Sequence, residues 1–320
     1  MADYTAATQP GAMGRRTSLV RRPSARSRFE GAVRVSLFAA AFVSILTTLA
    51  IVFSLLRETI SFLGDVPIGD FLFGTKWTPL LAGDQQSFGV IPLVWDTVYL
   101  SLLGLIVAIP LGLLCGIYLA EFARSGVRKV VKPVLEVLAG VPTIVFGYFA
   151  LTYFTPEILQ KTLHIGVNQF NALSASIILG ILVTPTIATV TEDAMRAVPG
   201  SLREGAAGLG ANPVQTAIRV VFPAALSGVV AALVLGASRA IGETVIILVA
   251  GGQQTRLSLD PQQSYQSMAA FIAATSRGDI PTGSVKYETI FAVGMLLFLL
   301  TLALNVVSIR LVRKYRQVYE

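Results

Sequence analysis

The sequence predicts an all-α protein, a polytopic membrane helical bundle of about six transmembrane helices. Three observations carry that prediction. The 320 residues are 54% hydrophobic and only 13% charged, where a soluble domain carries about 25% charged residues. Charges this sparse cannot cover a water-facing surface, and the mean hydropathy of +0.70 agrees. The apolar residues also fall in long uncharged runs, and a helix needs about 20 mostly apolar residues to cross the hydrocarbon core. Finally, an open sheet cannot satisfy its edge groups in lipid, which leaves helices.

The uncharged runs, in order, are 35–56, 97–120, 137–156, 165–191, 220–238 and 289–309. The fourth opens with Asn168, Gln169 and Asn171, so its membrane part is expected to start near Ala172. The fifth continues past a charged pair, Arg239 and Glu243, through 244–255, and is read as one helix. Before the first run, residues 1–32 are rich in Arg, Ser, Ala and Gly without apolar periodicity, the composition of a mobile tail. The third run holds A-G-V-P-T-I-V-F-G at 139–147, where Pro142 removes a backbone donor mid-helix and Gly140 and Gly147 permit close helix approach. Two polar connections, 62–95 and about 252–287, are long enough to fold over one mouth of the bundle. Trp77, Trp95 and Tyr99 are the expected interfacial anchors.

Orientation follows from the basic residues. Arg15, Arg16, Arg21, Arg22, Arg26, Arg28 and Arg34 precede or open the first run; Arg124, Arg128, Lys129 and Lys132 follow the second. Arg196, Arg203 and Arg219 follow the fourth, and Arg310, Arg313, Lys314 and Arg316 the sixth, which puts 18 of the 25 basic residues on one side. The positive-inside rule places both termini in the cytoplasm. The net charge of +7 is thus an orientation signal, and nucleic acid is not an expected partner. A secretory signal peptide is not expected either, because the first apolar run is too long and begins some thirty residues in. A single cysteine, Cys115, rules out an internal disulfide framework or a Cys-rich metal site. The lone histidine, His164, stands in a polar loop, and no metal is expected.

The loop between the fourth and fifth runs reads P-G-S-L-R-E-G-A-A-G-L-G-A-N-P-V-Q-T-A-I-R-V-V-F-P at 199–223. Ser201 as N-cap, Glu204 three residues later, and Gly210 and Pro213 as terminators predict a short helix over about 202–209. Its small surface of Gly205, Ala206 and Ala207 would let a partner approach closely, with Glu204 as a charged handle. A solvated Gly/Ala linker helix would have the same spacing.

This loop resembles the "EAA" loop of ABC importer permeases: Glu-Ala-Ala, three residues, Gly, nine residues, then Ile, any residue, Leu and Pro. Glu204, Ala206, Gly210 and Pro223 match; Gly205, Val220 and Phe222 stand in for Ala, Ile and Leu. Across roughly 85–315, F-G-V-I-P-L-V-W-D-T (88–97), P-L-G-L-L-C-G-I-Y-L-A-E (110–121), A-G-V-P-T-I-V-F-G and S-R-A-I-G-E-T resemble phosphate permeases. The arginine-rich tail, F-G-V-I-P-L and the closing I-P-T-G…Y-E-T-I-F-A-V-G favour the PstC type over the PstA type. The resemblance implies a type I ABC importer permease fold: a basic cytoplasmic tail at 1–32, a transmembrane permease domain at 33–312 with a coupling loop at about 196–222, and a cytoplasmic tail at 313–320. It implies partners too: a sister PstA-type permease, two ATP-hydrolysing subunits, an external phosphate-binding protein and the surrounding lipid, in a bacterial cytoplasmic membrane. No cofactor is expected in this chain. It lacks G-x-x-x-x-G-K-[ST], so ATP and magnesium would be held by a partner and the chain itself would not be an enzyme.

S-R-A-I-G-E-T sets Arg239 and Glu243 inside an apolar stretch, near mid-membrane by residue count. A charge there costs roughly 2.5–3.5 kcal/mol on insertion scales. Four apart on one helix, the two would share a face and touch. One reading is a self-neutralising structural pair. The other is an anion pathway, in which Arg239 offsets phosphate desolvation with its forked donor and Glu243 keeps binding weak enough for release. Gly242, between them, would admit a neighbouring helix or the substrate. The resemblance to phosphate permeases implies that this Arg and Glu are functional. Three alternatives stay open: a permease for another oxyanion such as molybdate or sulfate, a self-sufficient secondary transporter, and a membrane enzyme acting on lipid phosphates. The last lacks any paired nucleophile and base.

Overall fold

In the computed structural model, residues 25–315 are described, with side-chain surroundings given for 29–310. Of the expected tails, 1–32 and 313–320, residues 1–24 and 316–320 lie outside that range. The chain divides into two units at Val52. Of the first, the described part is the beginning of a single long helix, α1 (Ala25–Asp65), whose residues 29–51 are exposed on every face. Its helical part therefore begins inside the stretch 1–32 that composition reads as tail.

The second unit carries the rest of α1, then α2 (Ile68–Phe73), α3 (Ile91–Phe122), α4 (Ser125–Gly140), α5 (Thr143–Thr162) and α6 (Ala172–Arg196). After these come α7 (Gly200–Gly208), α8 (Pro213–Ala224), α9 (Leu226–Ile241), α10 (Ile247–Gly251), α11 (Met268–Thr275) and α12 (Val285–Tyr315). Among the described residues four helices are long and apolar enough to span a membrane, and six if each of two bent pairs is one span. The expected six-span bundle is thus met with two of its spans broken.

The core is the contact of α3 with α6, made close by small residues. A Cβ on Gly112 would lie 2.7 Å from Ile187 Cβ, and one on Gly180 would lie 2.7 Å from the Gly104 carbonyl oxygen. Glycine permits this approach, and dispersion and packing, rather than water exclusion, hold helices together in lipid. Leu100, Leu179, Val183 and Ile187 fill the seam, with Ala240 and Ile247 packed on it. The start of α6 is as expected: Asn171 caps it, its Oδ1 accepting from the Ser174 N–H at 2.7 Å.

Three sequence expectations fail for local reasons. Pro142 does not sit mid-helix; it is the N-cap of α5, and the chain turns 86° between α4 and α5. A proline disfavours helical backbone at the residue before it, and Val141 is extended, so the break falls there. The connection 252–287 is not simply polar loop, because α11 within it is apolar and largely buried. Two of the three expected aromatic anchors are packing residues instead: Trp77 is buried edge-on to Phe271, and Tyr99 is buried with its hydroxyl donating to the Leu259 carbonyl. Trp95 alone is part exposed, stacked on Tyr99.

At the α2 end of the bundle, the two long connections meet. An antiparallel bridge joins Trp77 and Phe88. Fully buried Asp96, near the start of α3, accepts from the backbone N–H groups of Arg256 and Gln266, each at 3.3 Å. Thr97 Oγ1 accepts from the Met268 N–H at 2.9 Å. Neighbouring side chains on α3 thereby fix the path of 253–268.

Candidate functional site

The helix carrying Arg239 does not continue to Glu243. α9 ends at Ile241, Gly242 caps it, and the chain is irregular through Glu243 and Thr244 before turning helical again at 245. The expected four-residue spacing on one face is therefore lost, and among the described residues no ion pair joins Arg239 to a carboxylate. Arg239 is half-buried. Its Nη1 donates to Thr186 Oγ1 of α6 at 2.8 Å, and its Nη2 reaches the Ala139 carbonyl oxygen at 3.4 Å. Ala139 lies in the last turn of α4, where carbonyls without intrahelical partners carry the negative end of the helix dipole and favour a cation.

Glu243 is buried at 8% exposure. Its Oε1 accepts from the Val245 and Ile246 N–H groups at 3.0 and 3.2 Å, capping the helical turn that leads into α10. A carboxylate at a helix start satisfies orphan donors and meets the positive dipole end. Gly242 is exposed, and a Cβ there would meet only the Ser238 carbonyl, at 3.4 Å, so the space beside the break is open. Helices broken in this way, with their termini facing a cavity, are how transporters bring backbone dipoles and charges to a substrate at membrane depth.

The second candidate region forms as expected in outline and differs in its caps. α7 begins at Gly200 with Pro199 as N-cap, so Ser201 lies inside the helix. Gly210 ends it at φ +84°, a backbone conformation that side chains resist. Pro213 opens α8 instead of terminating α7. Asn212 and Gln215 form a capping box there, with side-chain to backbone distances of 2.8 and 3.0 Å. Glu204, Gly205 and Ala207 are exposed and Ala206 is part buried; Leu209 stands 92% exposed beside them. Pro223 is exposed in the last turn of α8, just before the chain bends 74° into α9. The structure thus gathers Glu204, Gly205, Ala206 and Ala207 on one small helix and places Pro223 in a different one, α8.

Sequence reading missed what anchors α7. Arg203 forks onto Glu121 at the end of α3, at 2.7 and 3.2 Å, and also donates to the Val198 and Met195 carbonyls at 2.8 and 2.9 Å. In the sequence Arg203 is one more basic residue setting orientation, while Glu121 merely ends an apolar motif. Only the fold brings them together, 82 residues apart.

Residues 108–317 match the family model described as the binding-protein-dependent transport system inner membrane component. A probable ABC transporter permease protein, YqgH, of Bacillus subtilis is 32% identical over 89% of this chain and 91% of its own length. The phosphate transport system permease protein PstC 1 of Mycobacterium tuberculosis is 32% identical over 71% of this chain and 73% of its own. PstC of Haemophilus influenzae is 28% identical over 78% and 82%. In fold, the chain resembles a chain of the MetNI methionine ABC transporter solved in inward-facing conformations, with a TM-score of 0.52, 19% identity and coverage of 72% of this chain and 95% of that one. With a family match across about two thirds of its length and PstC relatives at 28 and 32% identity, the chain belongs to the binding-protein-dependent transport system inner membrane component family, as a PstC-type ABC permease.

Proposed function

We propose that this chain is the permease subunit through which an ATP-driven importer moves inorganic phosphate across the bacterial cytoplasmic membrane by alternating access. The observation that carries the reading is Arg239, held half-buried among apolar helices by a hydroxyl and a helix-end carbonyl, with no carboxylate to neutralise it among the described residues. Guanidinium presents a planar fork of donors suited to phosphate oxygens. Holding it by neutral groups leaves its charge available to a passing anion, and keeps the site weak enough to empty. Glu243 serves the pathway indirectly: by capping the turn that leads into α10 it fixes the break at Gly242, next to the helix end that carries Arg239. The phosphate assignment rests on the PstC relatives and on this arginine.

The partners follow from the same reading. Glu204, Gly205, Ala206, Ala207 and Gly210 form the surface that docks on an ATP-hydrolysing subunit, with Pro223 fixing the return of the chain toward α9. That subunit, as a dimer, would bind ATP and magnesium. A PstA-type sister permease would complete the channel, and an external binding protein would deliver phosphate. Both termini and α7 would face the cytoplasm.

The test is reconstitution of the complete importer in liposomes, with the binding protein loaded in turn with phosphate, sulfate or molybdate. ATP hydrolysis stimulated by the phosphate-loaded protein, with labelled phosphate appearing inside, is expected. Stimulation by sulfate or molybdate alone would reassign the substrate, and uptake without the ATPase would overturn the importer reading.

A further inference from the structure

Resting on that reading, we propose that Glu192 is a positioning residue that locks α4 against α6, and through α4 sets the place of Arg239. Glu192, near the end of α6, has a side chain of 0% exposure. Lys132 Nζ of α4 lies 3.1 Å from its Oε2, and Arg128 Nε of α4 lies 3.5 Å from its Oε1. Arg196, one turn along α6, is 3.6 Å away. Lys132 also donates to Asp193 at 2.8 Å.

α4 has unusual need of these contacts. No residue of α4 is fully buried, and Val130, Val134 and Val137 stand 64, 59 and 71% exposed. Its other apolar residues, Val131, Leu135 and Leu138, are only part buried, so the ion pairs to Glu192 and Asp193 add to an incomplete apolar contact. A buried carboxylate deprived of its partners is strongly destabilising. Lys132 and Arg128, though, keep 28 and 23% exposure, so both can swing into water while Glu192 stays. The 86° break before α5 leaves α4 free to pivot.

Both ends of this strut touch functional groups. Toward its start, Arg128 Nε donates to the Leu119 carbonyl at 2.9 Å, beside the Glu121 that Arg203 of α7 grips. At its far end, the Ala139 carbonyl accepts from Arg239. A continuous set of contacts thus runs from the docking helix through the end of α3 and along α4 to the pathway arginine. Contiguity alone is not coupling; both sites must bias the same two-state element. Here that element is α4, docked on Glu192 or released from it.

The experiment uses the complete importer in liposomes and reads ATP hydrolysis without binding protein, hydrolysis with phosphate-loaded binding protein, and phosphate delivered per ATP. Glu192→Gln is expected to raise unstimulated hydrolysis about threefold per assembled complex and to lower phosphate per ATP by a similar factor. Lys132→Gln moves both the same way by less, and decides the matter if Glu192→Gln fails to assemble. In a cycle with Arg239→Lys, the two effects on uptake should not multiply, because the residues act through one element. A role in folding alone would lower hydrolysis and uptake together with the amount of complex. That result, or effects that multiply in the cycle, overturns the proposal. Unstimulated hydrolysis does not depend on the substrate, so an error in the phosphate assignment shows separately, as a wild-type complex that hydrolyses ATP but delivers no phosphate.

Discussion

Arg239 and Glu243 are four apart in sequence and belong to different structures: one is held at the end of α9, and the other caps the turn into α10. Their substitutions should therefore separate. Arg239→Gln keeps donors for Thr186 and removes the charge, so phosphate uptake is expected to be lost while the complex still assembles, as read by co-purification of the ATPase. Loss of assembly would instead mark the arginine as structural. Glu243→Ala strips the cap and should cost about 1 kcal/mol of stability, seen as a lower midpoint in thermal unfolding in detergent. Glu243→Gln, which still offers an acceptor to the same two N–H groups, should retain most of that stability. Equal losses in the two variants would mean that the carboxylate's charge, and not its cap, holds the break.

At the scale of elements, α7 and the α3–α6 seam make opposite demands on glycine. On α7, a Cβ at Gly205 would meet nothing within 4 Å, so that face is empty and free for a partner. Glu204→Lys, on the same exposed surface, should detach or uncouple the ATPase while leaving the chain in the membrane; normal ATP-driven uptake would remove the docking role. In the seam, Gly112→Val would force a side chain against Ile187, and overpacking of this kind costs about 1–3 kcal/mol. A fall in thermal midpoint with little change in uptake per folded complex is expected. These elements also mark what the sequence could reveal. The α6 start was legible because Asn171 caps locally, and α7 because Glu204, Gly210 and the residues around them form a local pattern. The two bends were not: a proline within an apolar run reads alike whether it kinks a span or starts a new helix. The anchors Glu121–Arg203 and Glu192–Lys132 were invisible for a different reason, since their partners lie 82 and 60 residues apart in sequence and meet only by packing.

At the scale of the whole molecule, composition settled the membrane class and the relatives settled the family. The fold supplies probes of the topology. A cysteine replacing Leu209, 92% exposed at the tip of the α7 loop, should react with an impermeant maleimide only from the cytoplasmic side. One replacing Leu81, 45% exposed in the connection after α2, should react only from outside. The opposite pattern would invert the molecule and with it the docking assignment. The expectation of this orientation comes from lysine and arginine counts, which are summed over loops and do not depend on individual helix ends. The aromatic anchors were misread because Trp77 and Tyr99 sit under chain that folds back over them from more than 150 residues further along.

That folded-back chain has a consequence for how the protein is made. Asp96 reaches the membrane when the ribosome has completed α3, yet the two N–H groups that bond its Oδ2 belong to Arg256 and Gln266 and are synthesised 160 and 170 residues later. Through that interval the growing chain carries this carboxylate at the mouth of its central helix without the two donors to Oδ2. An arrested or truncated product ending before Arg256 keeps that defect permanently, and a membrane protease that recognises exposed polar groups has a means of telling it from the finished permease. A late contact of this kind makes completion of the chain, rather than insertion of its spans, the step that seals the bundle.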